Sequence, residues 1–89
     1  MDDERIIELF FERSEEAVKA LNIKYGRVCY SLSYNIVGNA QDAEECVNDT
    51  YLGVWNAVPP QKPNPLRSFV CRIARNLSIS RYHANTARK

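Results

Sequence analysis

Apolar positions recur at three- and four-residue intervals along most of the chain, and no stretch alternates with the two-residue period of a strand. Ile6, Ile7, Leu9, Phe10 and Phe11 predict a short first helix over about 3–13, with Asp2 or Asp3 as its cap. Arg13 and Ser14 interrupt it. Ser14 is a good N-cap, and Glu15 and Glu16 then fall where a helix dipole favours acids. The second helix is predicted over about 15–37, with a seam of Val18, Leu21, Tyr25, Val28 and Leu32. Gly26 lies inside it at a cost of about 1 kcal/mol relative to Ala. Gly38 is a natural stop and Asn39 a natural new cap, which opens a third helix over about 40–57. Pro59, Pro60, Pro63 and Pro65 then forbid a helix and make a stiff connector. Asn64 is the expected cap and Pro65 the first residue of a last helix over about 65–83, carrying Leu66, Phe69, Val70, Ile73 and Leu77. The expected fold is a single all-α domain over 1–89, a compact bundle of about four helices without internal repeats.

The third helix is amphipathic. At about 100° per residue, Asn48, Asp49, Leu52 and Asn56 fall within about 60° of Glu45. Ala43, Cys46, Val47, Thr50, Val54 and Val58 lie opposite. The outer face is thus acidic and amide-bearing, with Leu52 in its middle and Trp55 at its margin. Such a face is either simply solvated or a docking surface for a basic partner, anchored by Leu52 and Trp55. On the last helix, the side away from Leu66 presents Arg72, Arg75, Ile79, Tyr82 and His83, with Asn76 near its edge. Arg neutralises phosphate, Tyr stacks a base and Asn reads an adenine edge. A basic C-terminal helix is also favoured by its own dipole, so the spacing alone leaves both readings open.

Charge sharpens the contrast. The net charge of +1 comes from 12 bases and 11 acids, but all 11 acids and only 5 of the bases lie in residues 1–50. Residues 51–89 hold 7 bases and no acid. Two charged faces, and two partners, are the expectation.

Several classes are excluded. No apolar run approaches the roughly 20 residues of a membrane span. The N-terminus is too acidic for a signal peptide or presequence. Cys29, Cys46 and Cys71 are odd in number and widely spaced, which fits small core residues in a reducing cytosol better than a disulfide framework. His83 has no acid near it in the chain, and neither a phosphate loop nor a nucleophile–base grouping is present, so no enzyme and no cofactor is expected. Asp42, Glu44 and Glu45 read as capping acids rather than as a metal site.

Three stretches, in order, resemble region 2 of bacterial RNA polymerase sigma factors, and within these the extracytoplasmic-function (ECF) subgroup. They are Ile7 to Tyr34 (IELFFERSEEAVKALNIKYGRVCYSLSY), Asp42 to Trp55 (DAEECVNDTYLGVW) and Leu66 to Arg81 (LRSFVCRIARNLSISR). The second is similar to the family pattern of Asp-Ala-Glu-Asp, then a Gln/Asn–Glu/Asp pair, an aromatic and a Trp. In the third, Arg72 to Leu77 is a close match. Glu45 stands where Asp is usual, Asn48-Asp49 replaces Gln-Glu, Phe69 stands for Trp, and Ser80 stands where many members carry Asp.

The resemblance implies a non-enzymatic cytoplasmic protein with two sites. Glu45, Asn48 and Asp49, with Leu52 and Trp55 added from the helical wheel, would dock on the β′ subunit of the polymerase core. Gln61, Lys62 and Asn64 in the connector would border a pocket for an extruded base. Arg67, Arg72, Arg75, Asn76 and Tyr82 would hold the single-stranded non-template DNA of the minus-ten promoter element. An anti-sigma factor is a further expected partner. The family's helix-turn-helix module has no counterpart in these 89 residues, which is read either as one domain of a longer sigma factor or as a truncated relative. The competing reading is a helical decoy that binds polymerase or an anti-sigma factor without using DNA.

Overall fold

The computed structural model describes residues 1–87 and contains four helices in the order α1 (Asp3–Phe11), α2 (Glu16–Val37), α3 (Ala40–Ala57) and α4 (Leu66–Ala87). No strand occurs among the described residues. The all-α bundle is therefore the fold, and the helix boundaries follow from local chemistry.

Asp2 caps α1, its carboxylate accepting from the Arg5 backbone N–H at 2.8 Å. The helix stops at Phe11, two residues before the expected end. Arg13 adopts a left-handed conformation (φ 56°), its N–H donates to the Phe10 carbonyl and the Ser14 N–H donates to that of Leu9. This is a Schellman termination with an arginine where glycine is usual. The backbone strain is offset by what the side chain reaches: the Arg13 guanidinium donates to the carbonyls of Trp55 (2.8 Å) and Val58 (2.9 Å) at the far end of α3. There it also complements the negative end of that helix.

α2 begins at Glu16 with Glu15, not Ser14, at its N-cap and no side-chain capping bond there, while Ser14 Oγ, one residue earlier, accepts from the Glu16 N–H at 3.2 Å. Gly38 closes α2 at φ 80°, a conformation glycine adopts without penalty, and Asn39 caps α3 by accepting from the Asp42 N–H at 2.9 Å. α4 begins one residue later than expected. Pro65, not Asn64, holds the boundary, its carbonyl accepting from the Phe69 N–H.

α2 is the common wall of the bundle, packing against α1, α3 and α4, while α3 and α4 also pack on each other. The molecule is elongated, 44 × 22 × 21 Å, so the outer faces of α3 and α4 run along its length. The seam of α2 differs from the sequence reading. Ala17, Leu21, Tyr25, Cys29 and Ser33 are its buried line, whereas Val18, Val28 and Leu32 are only half-buried. On α4 the buried line is likewise Leu66, Phe69, Val70, Ala74 and Ser78, with Ile73 and Leu77 half-buried.

Small side chains let α2 and α4 approach. The buried pair Ser33 and Ser78 satisfies itself, Ser78 Oγ lying 2.8 Å from Ser33 Oγ and 2.7 Å from the Ala74 carbonyl. Cys29 and Cys46 are buried and Cys71 is half-buried. Burial pushes the Cys29 thiol up to about 11, so it stays protonated and unreactive.

Candidate functional site

The outer face of α3 is open. Glu45, Asn48, Asp49 and Asn56 are exposed, and Leu52 is 58% exposed in their midst. Asn48, Leu52 and Trp55 line an open groove of about 1080 Å³ between α2 and α3, whose other wall includes Val18, Asn22 and Tyr30. Gly26 also lines this groove. A Cβ at Gly26 would lie 2.6 Å from Asn22 Oδ1, the atom that accepts from the buried Tyr51 hydroxyl. The glycine thus preserves the bond that ties α2 to α3 beneath the groove. Glu45 and Asp49 lie outside the groove, on the outer side of α3.

Trp55 is not a free anchor. Its ring meets Phe10 edge-on, with centroids 6.2 Å apart, and the Arg13 guanidinium lies 3.8 Å from its centroid. It packs as a half-buried margin of the core, with part of the indole left on the groove.

The basic half is just as open. Gln61, Lys62, Asn64, Arg67, Arg72, Arg75, Asn76 and Tyr82 are all exposed. Among the described residues, Arg67, Arg72 and Arg75 have no carboxylate within ion-pair distance. The Arg72 guanidinium lies 5.9 Å from the Phe69 ring, and Tyr82 stands edge-on to His83. Ile79, placed on this far side by the sequence pattern, is half-buried.

Lys62 and Asn64 line a second cleft, of about 680 Å³, together with Ile7 and Phe11. The α1 wall of that cleft also carries Asp3, Glu4, Glu8 and Glu12. Gln61 and Arg67 do not line it. Asp3 has partners of its own, Lys24 Nζ at 2.8 Å and the Tyr25 hydroxyl at 2.7 Å. Arg5 engages Glu8 and Glu12.

The two charged faces expected from the sequence are not separate, because one ion-pair cluster joins them. Arg81 of α4 donates to Asp42 Oδ1 at 3.0 Å and to Glu45 Oε2 at 2.7 Å. Asn85 Nδ2 donates to Asp42 Oδ2 at 2.7 Å, and Asn39 Nδ2 to the same oxygen at 3.0 Å. Hydrogen bonds from Asn39 and Asn85, with the Arg81 charge, hold the Asp42 carboxyl below its ordinary value. This clasp carries α4 to Ala87, past the expected end near residue 83. Sequence reasoning missed it because the partners lie 36 to 43 residues apart. The available signal was the i, i+3 spacing of Asp42 and Glu45, which sets two carboxylates on one side of α3. Of the three acids considered for a metal, two are thus occupied by a guanidinium.

A protein-family comparison matches the description Sigma-70 region 2 to residues 23–88, most of the chain and all of α3. The chain belongs to the Sigma-70 region 2 family. This region 2 domain therefore comes from the class of sigma-factor domains that act in polymerase binding and promoter melting, a non-enzymatic role. The match begins within α2, so α1 lies outside it, and the resemblance read from Ile7 onward has family support only from residue 23. No curated protein and no solved structure matches the chain. No helix among the described residues is long and apolar enough to cross a membrane.

Proposed function

We propose that residues 1–89 form the region 2 domain of an ECF-type sigma factor, with one surface for the polymerase and another for the opened promoter. The α3 face docks on a basic helical segment of the β′ subunit. Glu45, Asn48 and Asp49 supply polar contacts, Leu52 the apolar anchor, and the exposed edge of Trp55 the end of the groove. The α4 face, with Arg67, Arg72, Arg75, Asn76 and Tyr82, holds the single-stranded non-template DNA of the minus-ten element. Gln61, Lys62 and Asn64 border the extruded base. Unpairing costs a few kcal/mol per base, which stacking and pocket contacts offset. A stiff connector lowers the ordering cost of forming that pocket. A cytoplasmic location and an anti-sigma partner accompany this reading.

The observation that carries it is the opposite character of the two free faces inside one family match. Among the described residues, α3 presents Asp49 without an ionic partner, and α4 presents Arg67, Arg72 and Arg75 likewise. A decoy that ignores DNA has no use for three unneutralised arginines along one helix. The test is the charge reversal Asp49→Lys. Capture of the variant by RNA polymerase core is expected to be lost, with the helical signal and melting temperature kept. Wild-type capture by the variant would refute the docking face.

A further inference from the structure

The clasp joins the two surfaces at one residue. Glu45 belongs to the proposed docking face, and Arg81 precedes Tyr82 on the proposed DNA-facing helix. We propose that Arg81 is a positioning residue that couples polymerase docking to DNA binding, an inference that rests on the reading above. In the free domain Arg81 is held by Glu45 at 2.7 Å and by Asp42 at 3.0 Å. Within the clasp Arg81 is neutralised by two carboxylates, so in the free domain it offers no net positive charge to a phosphate arriving near Tyr82.

A cation of the polymerase that engages Glu45 changes this balance. It neutralises Glu45, and by the same contact it competes with Arg81 for that carboxylate. Asp42 is fixed independently by Asn39 and Asn85, so it serves as a pivot while the guanidinium turns from Glu45 toward the strand. The Arg81 side chain is 32% exposed and Glu45 47% exposed, so the contact opens without unpacking the core. The linkage is reciprocal: a phosphate on Arg81 frees Glu45 for the polymerase by the same factor. An exposed ion pair sets its size at about twofold to fivefold in affinity.

The experiment measures the affinity of the domain for RNA polymerase core with and without single-stranded DNA. The DNA is recovered from a random pool by capture on the domain–core complex. Wild type is expected to bind core about twofold to fivefold more tightly when the DNA is present. Both Arg81→Gln and Glu45→Gln should abolish that enhancement, and a melting curve checks that each variant is folded. Enhancement that survives in a folded Arg81→Gln variant would overturn the proposal and leave Arg81 as a tie between helices only. Absence of enhancement in wild type, with both ligands bound, would overturn it as well. Failure of wild type to bind core would remove the docking reading itself, and the coupling with it.

Discussion

The outer faces of α3 and α4 sit on one bundle and share the wall of α2, yet they are finished differently. On α3 the free groups include the carboxylates of Asp49 and Glu44, two amides and one leucine beside a groove. On α4 they are arginines, an asparagine and a tyrosine without a comparable apolar anchor. A leucine within a polar rim suits a protein partner, whose apolar side chain can cover it. Spaced cations with an aromatic suit a polyanion, whose backbone needs neutralising and whose bases offer stacking faces. Elsewhere the pairing is mixed. Arg5, Arg13 and Lys24 all reach carboxylates or carbonyls, whereas Lys19 and Arg27 on α2 have no ion-pair partner among the described residues. The α4 arginines before Arg81 have no ion-pair partner among the described residues either.

The comparison holds only if the faces fail separately while the wall beneath them fails for both. The largest effect is therefore expected in the wall. Leu21 is fully buried on α2, and Leu21→Ala should cost about 2–5 kcal/mol of stability. Denaturant unfolding reads that loss, and capture of core and of DNA should fall together. Next comes the α3 anchor. Leu52→Ala removes no core packing, so stability should change by no more than about 0.5 kcal/mol. Core affinity should drop by about tenfold, the scale of a binding hot spot, while DNA affinity stays. A Leu52→Ala variant that binds core like wild type would make the two faces alike in having no anchor.

Arg75→Gln examines the other side. One fewer phosphate contact should lower the salt slope for single-stranded DNA by about 0.7. Titration at several salt concentrations measures it, and core affinity should remain unchanged. An unchanged slope would show that the free arginine is not at the strand.

Most of this contrast was legible in the sequence, because exposure on an amphipathic helix follows from period. The wheel placed Glu45, Asn48, Asp49 and Leu52 on the outside of α3, and there they are. It misplaced the seams of α2 and α4, because Ala17, Ser33, Ala74 and Ser78 carry little hydrophobic signal. Close helix approach, not hydrophobicity, puts them inside. It also read Trp55 as an anchor, although Phe10 and Arg13, both distant in sequence, cover it. The clasp was invisible for the same reason: Arg81 looks like any cation of a basic helix until folding sets Asp42 and Glu45 beside it. Local patterns report local surroundings, and each miss involves a partner contributed by another helix.

The smallest expected effect lies at that junction, where the two faces touch. The Asp42 carboxyl is held below the ordinary 3.8 by hydrogen bonds from Asn39 and Asn85 and by Arg81. A group whose folded pKa is depressed stabilises the fold fully above its unfolded pKa, about 3.9 for aspartate. That contribution declines as pH falls through the lower folded value. Asp42→Asn removes the titrating group and the ion pair with Arg81 together. Thermal melts at neutral pH should therefore place the variant below wild type. The gap should stay constant down to about pH 5 and narrow as the wild-type carboxyl takes up its proton. Comparing the two proteins cancels the other acids, which titrate in both. A gap that stays constant to strongly acid pH would mean that the loss is one of side-chain packing, and that Asp42 and Arg81 touch without the charge between them mattering.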